Sequence, residues 1–97
     1  MYARVVSVRV AAEKVEDMLR QFRGFTASAP TRSGGVILVN RETGDAMTVG
    51  FYATEADLKA VLQSFNRPIE VPGEVPGTRS LEIYEVAEFS AVPDSTR

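Results

Sequence analysis

Twice along this chain an alternating apolar run gives way to a helical one, and both helical runs close alike, in MLRQF at Met18–Phe22 and VLQSF at Val61–Phe65. In the first unit Val6, Val8 and Val10 share one face of an extended segment, Tyr2 to Val10, with Val5, Ser7 and Arg9 on the other. From Ala12 the period changes. Val15, Met18, Leu19 and Phe22 fall at i, i+3, i+4 and i+7, while Lys14, Glu16, Asp17, Arg20 and Gln21 face away. Gly24 is the expected C-cap, and the stretch TASAPTRSGG has the composition of a loop.

The second unit begins with a hairpin. Strands are expected at about Val36 to Arg41 and Asp45 to Ala53, joined by Glu42, Thr43 and Gly44. A three-residue loop with glycine last would set Arg41 opposite Asp45. In that register Ile37 and Val39 share a face with Met47, Val49 and Phe51, whereas Val36, Leu38 and Asn40 share the other with Thr48, Gly50 and Tyr52. Thr54 and Asp57 then read as a capping box opening a helix with an apolar stripe of Leu58, Val61, Leu62 and Phe65, ended by Pro68. The turn-rich VPGEVPG leads to a last strand, Arg79 to Phe89.

The order is therefore βαββαβ, which predicts an α+β, ferredoxin-like domain: a four-stranded antiparallel sheet with both helices on one face. Residues 1–90 form this single domain, and 91–97 a frayed tail. The helix-covered face must be the more apolar, and Ile37, Val39, Met47, Val49 and Phe51 suit it. The other face carries Val36, Leu38 and Tyr52, joined by Val5, Tyr84 and Val86. That is too much apolar surface for water. Two copies stacked through these faces would bury it, so a homodimer is expected.

Composition removes most chemistries. Eleven basic and thirteen acidic residues are dispersed along the chain, leaving no electrostatic footprint for nucleic acid. The chain contains no cysteine, hence no disulfide and no thiol nucleophile, which fits the cytoplasm. It contains no histidine either, which removes catalytic triads and imidazole-ligated metals. No metal site is expected, and no segment approaches the length of a membrane span. MYARVVSVRV, with two arginines in its apolar run, reads as a strand and not as a signal peptide.

GGVILVNRETGDAMTVGFYATEADLKA, Gly34 to Ala60, resembles the middle of the antibiotic-biosynthesis-monooxygenase-like dimeric α/β barrel proteins. In these a glycine precedes the hairpin, and an aromatic-x-Ser/Thr-x-Glu/Ala segment opens the second helix. The resemblance runs in outline from Tyr2 to Phe89. It implies the ferredoxin-like fold, a dimer whose sheets face each other, and, for an enzyme, cofactor-independent monooxygenation in which the substrate supplies electrons to dioxygen. No cofactor is implied. Family members that oxidise phenols or degrade haem commonly have a tryptophan where Tyr52 stands. Phenol oxidisers place an asparagine at the position of Thr48.

Five residues emerge as candidates for binding a small, partly aromatic molecule between the sheets. Tyr52 is a large aromatic with a polar handle, suited to packing on a flat ligand or to filling a dimer interior. Tyr84 has the same two readings. Asn40 and Thr48 could hydrogen-bond a ligand, or serve as ordinary strand-end and mid-strand residues. Arg9, inside a strand, needs a ligand anion or a counter-charge such as Glu82 or Glu85. No catalytic residue is assigned, and a non-catalytic, stress-related or structural dimer is the alternative function.

Overall fold

The structure is a computed structural model, described here over residues 1–28, 32–64 and 70–90. Seven elements follow one another: β1 (Tyr2–Arg9), a 3-10 turn (Ala12–Lys14), α1 (Val15–Ser28), β2 (Gly34–Val39), β3 (Asp45–Tyr52), α2 (Glu55–Ser64) and β4 (Ser80–Glu85). The strands form one antiparallel sheet in the order β2-β3-β1-β4, as a ferredoxin-like domain requires. Phe65, Pro68 and the tail 91–97 lie outside the described residues.

The first helix buries the stripe read from its spacing: Val15, Met18, Leu19 and Phe22 pack on Val8, Val10 and Ala46, with Ile37, Val39 and Val71 at the margin. Gly24 does not end it. Its φ is not in the left-handed range, which among described glycines belongs to Gly44, Gly73 and Gly77, and a glycine weakens a helix without stopping it. Thr54 does cap α2, its Oγ1 accepting the Asp57 N–H at 3.1 Å. A second cluster, Tyr52 with Leu58 and Val61, lies under that helix, flanked by Tyr2 and Leu62.

The hairpin differs from expectation by one residue. Val39 pairs with Ala46, and the Asn40 N–H donates to the Asp45 carbonyl at 2.8 Å, so four residues, not three, make the turn. The Asn40 side chain is the cause: its Oδ1 accepts from the Glu42 and Thr43 N–H groups, while its carbonyl accepts from Gly44 at φ 80°. Arg41 therefore faces Glu16 at 2.5 Å instead of Asp45.

A one-residue slip exchanges the faces of β3. Ile37 and Val39 share the helix-covered face with Ala46, Thr48, Gly50 and Tyr52, while Met47, Val49 and Phe51 join Val36 and Leu38 on the open one. From β1, Tyr2, Arg4, Val6 and Val8 join the covered face; Ala3, Val5, Ser7 and Arg9 join the open face. Strand β4 ends at Glu85, short of the expected Phe89, although the Val86 N–H still donates to the Met1 carbonyl. Phe89 then lies edge-on to Phe51, ring centroids 6.1 Å apart.

The turn-rich segment before β4 is pinned to the first unit. Ala11 donates to the Gly73 carbonyl and Val75 to that of Arg9, and Val10 bridges to Glu74. Gly73 and Gly77 adopt φ of 70° and 80°, which fits the two Pro-Gly pairs. This segment fastens strand to strand.

Candidate functional site

Tyr52 ends β3 and is 2% exposed beneath α2. It therefore lies on the helix side of the sheet and not on the face expected to meet a partner. Its side chain runs back over Gly50: a Cβ built there would stand 3.1 Å from the Tyr52 hydroxyl oxygen and 3.3 Å from Cε2. Across the sheet Gly50 faces Gly35 on β2 and Arg4 on β1. At Gly35 a Cβ would meet the Arg32 guanidinium at 2.3 Å. Two paired glycines thus form a floor on which a phenol and an arginine lie, with a second arginine beside them.

The electrostatics follow from this packing. Burial raises the Tyr52 phenol above its ordinary pKa, against the pull of Arg4 and Arg32. It stays protonated at neutral pH and can donate. Burial also lowers the Arg4 pKa, yet a guanidinium keeps its charge at any physiological pH. The Nε of Arg4 is buried and has no hydrogen-bond partner. Parity in YARVVSVRV was the available signal for Arg4, because it occupies the same row as Val6, Val8 and Val10. Arg32, before β2, carried no comparable mark.

Of the five residues read from sequence, Thr48 alone shares the covered face with Tyr52, two positions along β3. Asn40 closes the hairpin turn. Arg9 pairs with Asp45, through Nε–Oδ1 at 2.8 Å and Nη2–Oδ2 at 3.2 Å, and not with Glu82 or Glu85. The Arg9 hydrogen bond, aided by that of Thr43, holds the Asp45 carboxyl below its usual range. Tyr84 is on the open face, its hydroxyl donating to Glu82. Arg9 and Asn40 do meet, with Ser7, Leu38, Met47 and Thr78, in an open groove of ≈ 720 Å³ at the hairpin end. The expected single site is thus two places on opposite faces.

Among the described residues no group of three acids, histidines or cysteines could hold a metal ion, and no helix is long and apolar enough to cross a membrane.

Solved structures resemble this architecture over nearly the whole chain. The haem degrader MhuD from Mycobacterium tuberculosis, in a structure with two haems bound in its active site, aligns with 94% of this chain and 100% of its own, at a TM-score of 0.66 and 13% identity. An antibiotic biosynthesis monooxygenase aligns over 96% and 100%, at 0.63 and 16%. The fold is that of the antibiotic biosynthesis monooxygenases. At such identities the likeness carries architecture and no residue roles. No family model matches the chain, and no curated protein matches it in sequence.

Proposed function

We propose that this protein is a cytoplasmic homodimer, joined through its open sheet faces, that binds a small, partly aromatic molecule on the helix side of each sheet beside Tyr52. The observation that carries the binding site is the pairing of Gly35 with Gly50. Having no side chains of their own, these glycines let the Tyr52 hydroxyl and the Arg32 guanidinium lie directly over the strands, and the charges of Arg4 and Arg32 both act on that phenol. Because Leu58 and Val61 already cover the Tyr52 ring, the ligand would meet its hydroxyl edge and not stack on its face. Thr48 lies on the same face.

Support for the dimer comes from the open face. Val36, Leu38, Met47 and Tyr84 are all exposed there, with Phe89 laid over Phe51 at its edge. Such an apolar sheet surface is what a second copy would cover.

The names of two similar structures, antibiotic biosynthesis monooxygenases, point to oxygenation. In the cofactor-independent form, an activated CH₂ of the substrate reacts with dioxygen to give C=O and water. The substrate supplies all four electrons, while the protein orients it and excludes solvent. With no histidine, haem could not be held by an imidazole, whether as substrate or otherwise. A second reading, binding without turnover, is favoured by the charged groups at the site: arginine cannot act as a proton acceptor at neutral pH.

A thermal-shift screen of quinols, anthrones, flavonoids and haem, repeated on Tyr52→Phe, tests the site. Stabilisation that weakens in the variant supports it, and oxygen uptake with the same compound then separates turnover from binding. Absence of any shift would sink the ligand-binding function and leave a dimer that only buries its face.

A further inference from the structure

Arg4 stands in a row that should be apolar. Tyr2, Val6 and Val8 flank it on the covered face, and its cross-strand neighbours, Gly50 on β3 and Ile83 on β4, offer no acceptor side chain. The ion pairs among the described residues employ Arg9, Lys14, Arg20, Arg41, Lys59 and Arg79, and leave Arg4 out. Glu85, the nearest acid by register on that face, is exposed and forms none with it. Arg4 is half-buried, with its Nε shut away from solvent and unpartnered, and a guanidinium donor withdrawn from water without an acceptor is costly for a small domain to retain.

We infer that Arg4 is the anchor of an organic oxyanion, a carboxylate carried by a planar ligand, held between its guanidinium fork and the Tyr52 hydroxyl. This rests on the binding site proposed above and specifies what that site selects. Tyr52 and Arg4 are diagonal neighbours across the β1–β3 pair, and the tyrosine side chain folds toward Gly50, the residue directly opposite Arg4. The Arg4 charge is felt at that hydroxyl, so the two groups are near neighbours on one face. Arg32, over Gly35, adds positive potential from the next strand. A neutral phenol and a charged fork are complementary donors to one carboxylate, whereas a neutral or cationic ligand would leave the fork unanswered.

Fluorescence titration with anthracene-9-carboxylate and its neutral isostere anthracene-9-carboxamide tests this on the full chain. The wild-type protein is expected to prefer the carboxylate by about tenfold to a hundredfold, the range of a charge-assisted hydrogen bond. Arg4→Gln should erase that preference while changing carboxamide affinity less than about threefold. Arg4→Met gives a second readout, since a structural cation would be missed but an unanswered one would not. Its urea midpoint without ligand should equal or exceed that of the wild type. Equal wild-type affinity for both probes, or a preference surviving Arg4→Gln, would overturn the inference and leave the site intact. Equal loss of both probes in Arg4→Gln with a lowered Arg4→Met midpoint would also overturn it, making Arg4 structural. If neither probe binds the folded wild-type protein, the site itself falls and takes the inference with it.

Discussion

Replacing Tyr52 by alanine tests the register on which the candidate site depends. Tyr52 is 2% exposed and packs against Leu58 at 4% and Val61 at 0%, so truncation empties a volume that α2 cannot readily collapse into. Loss of a buried aromatic of this kind costs about 3–5 kcal/mol. A domain of this size has only about 5–15 kcal/mol in all, and each kcal/mol moves its melting temperature by about 4–8 °C. The variant should therefore melt at least about 12 °C below wild type. Met47→Ala is the control from the neighbouring position, because Met47 is 36% exposed on the open face. Its cost should stay below about 1.5 kcal/mol in dilute protein and grow with concentration if two copies meet there. Urea melts followed by circular dichroism, at protein concentrations about a hundredfold apart, separate the two. A Tyr52→Ala cost under about 1 kcal/mol, or one that fades on dilution as an interface residue's would, refutes the covered position and restores the alternative register.

Leu38→Glu, on a residue 51% exposed beside Met47, should convert the proposed dimer to a monomer in sedimentation analysis while leaving the circular dichroism spectrum unchanged. Thr54→Ala removes the α2 cap and should cost about 1 kcal/mol in a urea melt. Gly44→Ala forces a left-handed residue and drives its Cβ to 2.0 Å from the Val10 carbonyl oxygen. A loss of about 2 kcal/mol or more is expected in the same melt. The Asp45 pKa is depressed from 3.8, so its ion pair stabilises the fold above that value and the contribution fades as pH falls through the folded pKa. Asp45→Asn should therefore narrow its stability deficit relative to wild type below about pH 4, measured by melts across the acid limb.

What the sequence disclosed follows from which patterns have a single solution. The helical stripe of Val15, Met18, Leu19 and Phe22 admits one buried face, and it is the one found. The element order follows from the two changes of period, and with the right-handed crossover rule it left one sheet. Strand β3 is different. Ala46, Thr48, Gly50 and Tyr52 form one row and Met47, Val49 and Phe51 the other, and by hydrophobicity the second is the better core. Where both faces of a sheet are apolar, alternation cannot say which lies under the helices, so a single turn residue decides it.

That residue is Asn40. Read as the end of a strand, it was a candidate ligand group; as the first residue of a turn, its Oδ1 organises the N–H groups of Glu42 and Thr43 and moves the register by one. The consequence reaches the far end of the strand, where Tyr52 passes from the open face to the covered one and comes beside Arg4. Thr48 moves with it, while Arg9, already on the open face, remains there beside Asp45. An asparagine at the mouth of a hairpin thus determines which residues can share a binding site. Asn40→Val removes the Oδ1 that organises the four-residue turn and favours extending the strand so that Arg41 stands opposite Asp45, which would expose Tyr52 and bury Phe51, and a large rise in Tyr52 iodination by an aqueous reagent would report it.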